Sequence, residues 1–166
     1  MSPRPYNAVI DATARDDAHY MERALQQARQ AAALGEVPVG AVITRDGSVV
    51  AEAHNQMEST PDATAHAEML VLQQAARRAG SLRLDGMTLY VTLEPCPMCA
   101  GAMVLARLQR LVYGAPDPKK GAVDSVYDVL HHPANNHRVA VTSGLLADPS
   151  AALLRDFFAE RRLRPA

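Results

Sequence analysis

The sequence predicts an α/β domain in which helices pack on both faces of one mixed, five-stranded sheet. Segments with apolar residues at helical spacing alternate along the chain with short runs of β-branched and aromatic residues. The 166 residues, of which 48% are hydrophobic and 21% charged, are typical of one globular domain. Because helices that alternate with strands cover both faces of a sheet, this order predicts a layered α/β fold.

The first predicted helix covers residues 17–34, where apolar side chains recur every three or four positions before Gly35, a candidate C-cap. Two short strands follow at residues 39–44 and 49–53. The connecting residues 45–48 contain an Asp-Gly pair, which favours a tight hairpin turn. The first two strands are therefore expected to pair antiparallel.

The rest of the chain is predicted to alternate between helices and strands in the same way. The predicted elements are a helix at 66–79, a strand at 88–93, a helix at 99–108, strands at 110–114 and 139–142, and a last helix from Asp148. Residues 115–138 are expected to be mostly loop. In the last helix an apolar stripe is formed by Leu153, Leu154, Phe157 and Phe158.

Residues 17–166 are expected to form the single domain, preceded by a flexible N-terminal extension at residues 1–16. The extension lacks the apolar core of a signal peptide, and no stretch of the chain approaches the roughly 20 apolar residues of a membrane span. Cys96 and Cys99 are too close in sequence to staple a secreted fold, and they suggest a thiolate pair in a reducing compartment. We therefore expect a cytoplasmic protein without a membrane partner.

The overall charge limits how the chain can bind nucleic acid. A formal net charge of −1 and a pI near 6.6 lack the basic excess of proteins that bind nucleic acid nonspecifically. Any RNA partner must therefore be recognised through local contacts.

A catalytic zinc site is predicted from three side chains and their spacing. Zinc prefers tetrahedral nitrogen and thiolate ligands, and catalytic sites typically use three protein ligands with water in the fourth position. Cys96 and Cys99 are three residues apart, so on a helix their thiolates face one side near its positive N-terminus. His66, at the start of another predicted helix, can complete the set, which predicts one Zn²⁺ per chain.

Glu68 is predicted to move protons beside this metal. It lies two residues after His66, off the coordinating direction but close enough to hydrogen-bond a metal-bound water. Zinc lowers the pKa of bound water from about 16 to about 7, so hydroxide forms at neutral pH and Glu68 can accept and return the proton. The pattern H-x-E followed by P-C-x-x-C is the signature of zinc nucleobase deaminases.

Two other interpretations of the cysteine pair remain open. In a closed structural zinc site Glu68 would be merely solvated, and the fourth ligand would come from His54, His131, His132 or His137. Structural sites usually contain more cysteines and shorter hairpin spacing, which disfavours this interpretation. A thioredoxin-like redox pair would leave the H-x-E pattern unexplained.

Beyond the metal motif, most of the chain resembles the bacterial tRNA-specific adenosine deaminases. The likeness runs from about Ala18 to Arg162, and the segments that carry it are 36–41, 64–68, 88–101, 128–133, 136–139 and 156–158. The resemblance implies the cytidine-deaminase-like three-layer α/β/α fold, a homodimer, and conversion of adenosine to inosine at the wobble position of a tRNA anticodon. Zinc-bound hydroxide would attack C6 of a flipped adenine.

The same resemblance implies a set of substrate contacts. Asn55 is expected to hydrogen-bond the flipped base, Val37 to line its pocket, and the backbone near Ala67 to help hold the purine. The candidate contacts with the anticodon stem-loop are Asp117 and Lys119 in the loop after the fourth strand, and Phe158 and Arg162 on the last helix. Pro116 and Pro118 depart from the family pattern and could stiffen that loop. On spacing alone, the loop would be a solvated turn and Phe158 a core residue.

Two further functions stay open at this point. The first is deamination of a free base or nucleoside, such as guanine or cytosine, because the same metal chemistry serves many substrates. The second is a noncatalytic, zinc-stabilised RNA-binding subunit, which the presence of Glu68 disfavours.

Overall fold

The computed structural model describes residues 6–165, with side chains from residue 16 onwards. The elements are α1 (Tyr6–Ala33), β1 (Gly40–Arg45), β2 (Ser48–His54), α2 (Ala67–Ala79), β3 (Met87–Leu93), α3 (Pro97–Leu105), β4 (Arg110–Ala115), β5 (Ala140–Thr142) and α4 (Ala147–Leu163). Within the described residues, no helix is both long and apolar enough to cross a membrane.

The strands form one mixed sheet in the order β2-β1-β3-β4-β5. β1 pairs antiparallel with both β2 and β3, whereas the pairs β3-β4 and β4-β5 are parallel. The chain passes from β3 to β4 through α3, which is the crossover that a parallel pair needs. The predicted α/β class and the mixed five-stranded sheet are confirmed.

Helices cover both faces of this sheet. On one face, the larger apolar cluster joins α2 and α3 to strand residues such as Leu89 and Leu111. On the opposite face, Tyr90 and Val112 pack with Met21 of α1. α4 contacts both α1 and β4. Because successive residues of a strand point to opposite faces, neighbouring positions on β3 and β4 serve different layers, and the three-layer arrangement is confirmed.

The β1–β2 hairpin turns on Asp46 and Gly47. Both residues have a positive φ, 50° and 74° respectively, which is what a type I′ turn requires. Arg45 pairs with Ser48 across this two-residue loop. The Asp-Gly pair therefore predicted both the turn and the antiparallel pairing.

Several element boundaries differ from the prediction. α1 begins at Tyr6 rather than Asp17, because the added residues contain no proline or glycine and a helix extends more easily than it nucleates. α3 ends at Leu105 rather than Leu108, where the φ of 59° at Arg107 is incompatible with a right-handed helix. β5 begins at Ala140 and is three residues long. Residues 1–5 lie outside the described residues, and the predicted flexibility of the N-terminal extension stays a prediction.

Candidate metal centre and active site

The N-termini of two helices bring the predicted metal ligands together. His66 is the N-cap residue of α2 and Cys96 is that of α3, and both have an extended backbone. Neither side chain caps its own helix. Pro97 occupies the first turn of α3, where its missing N–H has no helical partner to lose, and Cys99 lies one turn along from Cys96.

The three candidate ligand atoms form a nearly equilateral triangle. His66 Nδ1 lies 3.6 Å from Cys96 Sγ and 3.5 Å from Cys99 Sγ, and the two sulfurs are 3.7 Å apart. With bonds of about 2.3 Å to sulfur and about 2.05 Å to nitrogen, a tetrahedral zinc ion separates two sulfurs by about 3.8 Å and sulfur from nitrogen by about 3.6 Å. The observed separations therefore fit zinc, with three protein ligands and one further position.

No fourth side chain closes this cluster within residues 16–165. Across those side chains, His66, Cys96 and Cys99 are the one group of His, Cys, Asp or Glu whose ligand atoms all lie within 4.8 Å of one another. The other histidines considered have different neighbours, namely backbone atoms for His54, His132 and His137, and Asp124 for His131. The interpretation as a closed structural zinc site therefore has no support from this geometry.

The three ligand side chains shift one another's pKa values. The pKa of Cys96 is lowered to about 4, mainly by its hydrogen bond with Cys99 and also by its hydrogen bond with His66. The pKa of the Cys99 thiol is raised by the same bond and by burial. The pKa of His66 is raised chiefly by its hydrogen bond with Cys96, while the nearby positive charge of Lys120 acts in the opposite direction. One thiolate, the form that binds metal, is therefore already favoured.

Glu68 is buried beside the cluster without belonging to it. The residue is 4% exposed, and burial raises the pKa of its carboxyl group to about 7. Its side chain is not one of the clustered ligands. A carboxyl group that titrates near neutrality can both accept and release a proton, which is what a general acid and base must do.

One amide side chain connects the three residues expected to hold the base. Asn55 Nδ2 donates to the carbonyl oxygen of Val37 at 3.3 Å, and Asn55 Oδ1 accepts from the backbone N–H of Ala67 at 2.9 Å. The N–H of Ala67 is thus used inside the protein. Because an amide has two N–H donors and two acceptor lone pairs, these bonds leave Asn55 one donor and one acceptor for a ligand.

The loop after β4 approaches the metal centre, but its aspartate is used within the loop. Asp117 Oδ1 accepts hydrogen bonds from the backbone N–H groups of Lys119 at 3.0 Å and Lys120 at 3.2 Å. The N–H of Asp117 donates to Glu94 Oε2 at 3.0 Å. Lys119 is exposed. Of the two contacts expected in this loop, Lys119 is therefore the one presented outward, and Asp117 shapes the turn.

The two phenylalanines of α4 divide between core and surface. Phe157 is 8% exposed and Phe158 is 41% exposed, with their rings edge to face at 5.4 Å. The guanidinium of Arg161 lies 4.7 Å from the centre of the Phe157 ring and donates to the carbonyl oxygen of Gly35 at 2.9 Å. Phe157 thus packs between α4 and the end of α1, while Phe158 and Arg162 are exposed.

Sequence reasoning missed two buried carboxylates, Glu36 and Glu94, which are 1% and 2% exposed. Glu36 accepts hydrogen bonds from the backbone N–H groups of Glu58 and Ser59 and from the Ser59 hydroxyl. Burial alone would raise the pKa of each carboxylate, but the hydrogen bonds outweigh it and lower both pKa values. The available signal was a charged residue set directly beside apolar strand sequence, where it must find internal partners.

Comparison with known proteins assigns the chain to a family. A family model described as MafB19-like deaminase matches residues 15–162. The tRNA-specific adenosine deaminase of Bacillus subtilis (strain 168) is 47% identical over 146 residues, which cover 88% of this chain and 91% of the relative. That of Agrobacterium fabrum is 50% identical over 145 residues, which cover 87% of this chain and 95% of the relative. The chain belongs to the tRNA-specific adenosine deaminase family.

Solved structures agree with this membership. One, from studies of A-to-I editing by tRNA:A34 deaminases at the wobble position, has a TM-score of 0.80 and 48% identity, covering 82% of this chain and 99% of that chain. A guanine deaminase from Nitrosomonas europaea has a TM-score of 0.74 and 26% identity, covering 86% of this chain and 84% of that chain. The deaminase fold is thus common to enzymes of different substrates, and the higher identity lies with the tRNA-editing family member.

Proposed function

We propose that this chain is a zinc-dependent hydrolytic deaminase that converts adenosine to inosine at the wobble position of a tRNA anticodon. The observation that carries the proposal is the triangle of His66, Cys96 and Cys99 with the buried carboxyl group of Glu68 beside it. The tRNA substrate is supported by the 47% and 50% identity to tRNA-specific adenosine deaminases over most of the chain.

Zinc is the metal that suits this donor set, at one ion per chain. One imidazole nitrogen and two thiolates at tetrahedral separations are typical zinc ligands. Bound zinc supplies Lewis-acid activation of a water molecule. Glu68 carries the protons: it accepts one from the attacking water and delivers it to the ring nitrogen, then accepts the proton of the new C6 hydroxyl and delivers it to the departing amine. Ammonia leaves and inosine remains.

The base is proposed to bind between Val37 and Asn55. The donor and acceptor that Asn55 has left can pair with one edge of an adenine, as asparagine does in other adenine-binding sites. Half-buried Val37 supplies an apolar wall. Ala67 contributes through the backbone position that Asn55 fixes, since its N–H is already bonded.

The anticodon stem-loop is proposed to contact the loop after β4 and the exposed side of α4. Lys119 and Arg162 are exposed cations that can pair with phosphates, and Phe158 is an exposed ring on which a base can stack. Asp117 holds the loop in shape rather than reaching outward. Because the net charge is −1, these local contacts must carry the recognition of RNA.

We also propose that the chain acts as a cytoplasmic homodimer. The family resemblance implies the dimer, and two free cysteines arranged as metal ligands fit a reducing compartment. Sedimentation velocity of the zinc-loaded chain should show a dimer at micromolar concentration. A monomer over the whole concentration range would reject this part of the proposal.

The second candidate is a deaminase of a free purine, which the structural likeness to a guanine deaminase favours. At 26% identity that likeness is weaker than the likeness to the tRNA-editing family member. A noncatalytic RNA-binding subunit has less support, because Glu68 is present and its pKa is raised to about 7.

A direct comparison of substrates tests the proposal. Zinc-loaded protein is given an anticodon stem-loop with adenosine at the wobble position, free adenosine, cytidine and guanine under identical conditions. The loop adenosine is already unpaired, so its extrusion costs less than the few kcal/mol of opening a duplex, and flanking nucleotides add binding energy. The stem-loop should therefore have the highest kcat/KM. Faster turnover of a free base or nucleoside would reject the tRNA substrate and favour the second candidate function.

A further inference from the structure

The loop between β4 and β5 is held by a carboxylate of the metal-binding segment. Glu94 directly follows β3 and is 2% exposed. Its Oε1 accepts from the backbone N–H groups of Val123 at 3.2 Å, Asp124 at 2.7 Å and Ser125 at 2.9 Å. Its Oε2 accepts from the N–H of Asp117 at 3.0 Å and from the Ser125 hydroxyl. One side chain thus binds both ends of the segment 117–125.

The loop closes tightly around this carboxylate. A Cβ added at Gly121 would lie 2.3 Å from Glu94 Oε2 and 2.6 Å from the carbonyl oxygen of Asp117. Any side chain at this position would therefore clash, and glycine is the residue that fits. Two backbone hydrogen bonds join the same segments. The N–H of Ala122 donates to the carbonyl oxygen of Pro95 at 2.8 Å, and the N–H of Glu94 donates to the carbonyl oxygen of Ala115 at 2.8 Å. The segment that carries Cys96 and the segment that carries Lys119 are therefore packed together and joined by hydrogen bonds.

The choice of glutamate at this position has a physical reason. An ionised carboxylate only accepts hydrogen bonds, which suits a position where all five neighbouring polar groups are donors. A buried charge is tolerated because the loop amides satisfy it. A loop held in one conformation binds RNA without the cost of being ordered at the moment of binding.

We propose that Glu94 is a positioning residue for RNA, which fixes residues 117–125 against the metal-binding segment so that Lys119 is presented to the anticodon loop beside the metal centre. This inference rests on the proposed function. Glu94 touches neither the base nor the phosphates in this role. It acts through the loop backbone.

Glu94→Gln separates positioning from general stability. The amide oxygen of glutamine can keep the bonds to Val123, Asp124 and Ser125, and the Ser125 hydroxyl can rotate to accept from the amide NH₂. The N–H of Asp117 then faces another donor, so only the half of the loop that carries Lys119 is released. In a Glu68→Ala background, where turnover should be at least about 10²-fold slower, the Kd for the anticodon stem-loop should rise about tenfold, the cost of one lost charge-assisted hydrogen bond.

Three further measurements distinguish positioning from a structural role. Zinc content per chain should equal that of the Glu68→Ala parent, and amide hydrogen exchange should become faster at Asp117 and at residues 119–121 but not in α2. Lys119→Ala should weaken RNA binding less in the Glu94→Gln protein than in the parent, because neighbouring sites that act together are not additive. Asp17→Asn, which removes a buried carboxylate on the opposite face of the sheet, is the matched control and should leave the Kd unchanged.

The outcomes separate this inference from the proposed function. Stem-loop affinity in Glu94→Gln equal to that of the parent would overturn the positioning role while leaving the proposed function standing. A zinc-loaded parent that does not bind the stem-loop would overturn the proposed function itself, and this inference with it. If Glu94→Gln does not fold, Gly121→Ala displaces the same contact with the carboxylate in place, and unchanged affinity in that variant would equally reject the role.

Discussion

Glu68 is the residue on which the proposed chemistry depends, and its surroundings suit that role. It is buried at the first turn of α2, its pKa is raised to about 7 by that burial, and it is not one of the clustered ligands. A proton carrier with these properties can be removed without removing the metal. Substitution of a metal ligand should instead remove the zinc ion.

Glu68→Ala should retain one zinc per chain and lower kcat on the stem-loop by at least about 10²-fold, the lower end for a positioned acid and base. Metal analysis and single-turnover kinetics on the same sample give both quantities. His66→Ala is the contrasting variant and should lose zinc. Near-normal turnover by metal-loaded Glu68→Ala would remove Glu68 from the mechanism.

Asn55 offers a second test at the same scale. Asn55→Asp keeps the acceptor for the Ala67 N–H but places a carboxylate oxygen opposite the Val37 carbonyl, whereas Asn55→Ala removes both partners. An unsatisfied buried polar group costs about 1–3 kcal/mol, so both variants should be less stable and have a lower kcat/KM. Zinc content should not change. Full activity of Asn55→Ala would place the base elsewhere.

At the scale of secondary-structure elements, α1 is hydrogen-bonded to the sheet through Asp17, Tyr90 and Arg110, on the face opposite the metal centre. Asp17 accepts two hydrogen bonds from Arg110 of β4, at 2.8 and 2.7 Å, and one from the Tyr90 hydroxyl of β3 at 2.8 Å. Burial alone would raise the pKa of Asp17, but these hydrogen bonds outweigh it and lower the pKa. The ionised carboxylate therefore contributes to folding.

Asp17→Asn should lower the free energy of unfolding at neutral pH by about 1.5–3 kcal/mol, the value of hydrogen bonds to a charged group. Because the pKa of Asp17 is lower in the folded chain, its contribution is present above the ordinary value of 3.8 and is lost as the pH falls through the folded-state pKa. Urea unfolding of both proteins should thus show a difference that shrinks in acid. A difference independent of pH would contradict the assignment.

For the whole molecule, the metal centre is also a structural cross-link. His66 belongs to the start of α2 and the cysteines to the start of α3, and both helices pack on the same face of the sheet. An ion held by both helices binds the folded chain more tightly than the unfolded one, and this difference in binding free energy adds to the free energy of unfolding.

Removal of zinc by a chelator should therefore lower the Tm. With free zinc at about 1,000 times its Kd, the ion contributes about 4 kcal/mol, which corresponds to a fall of roughly 8–16 °C for a chain of this size. Calorimetry with and without chelator measures the shift, and His66→Ala should show none. An unchanged Tm in the wild-type chain would mean that no tightly bound metal joins α2 to α3.

Much of the fold and the core of the site could be predicted because the deciding interactions are local. Helical spacing places Cys96 and Cys99 on one side of a helix, the H-x-E pattern puts Glu68 two residues after His66, and an Asp-Gly pair favours a hairpin turn. The start of α1 could not be predicted in this way. Helix extension beyond the apolar pattern leaves no periodic signal in residues 6–16.

The sequence by itself predicted the ligand set, the proton carrier and the order of helices and strands from short motifs and local periodicity, namely the His66–Glu68 pattern, the Cys96–Cys99 pair and the spacing of apolar residues. Only the tertiary structure decided which polar side chains form hydrogen bonds within the protein rather than facing a ligand or solvent. Glu94 finds its partners 23 to 31 residues away, and Asn55 bridges Val37 and Ala67 across two loops. Phe157 and Phe158 share one apolar stripe, but packing against the end of α1 buries only the first. Such choices depend on where distant loops meet, which no local pattern encodes.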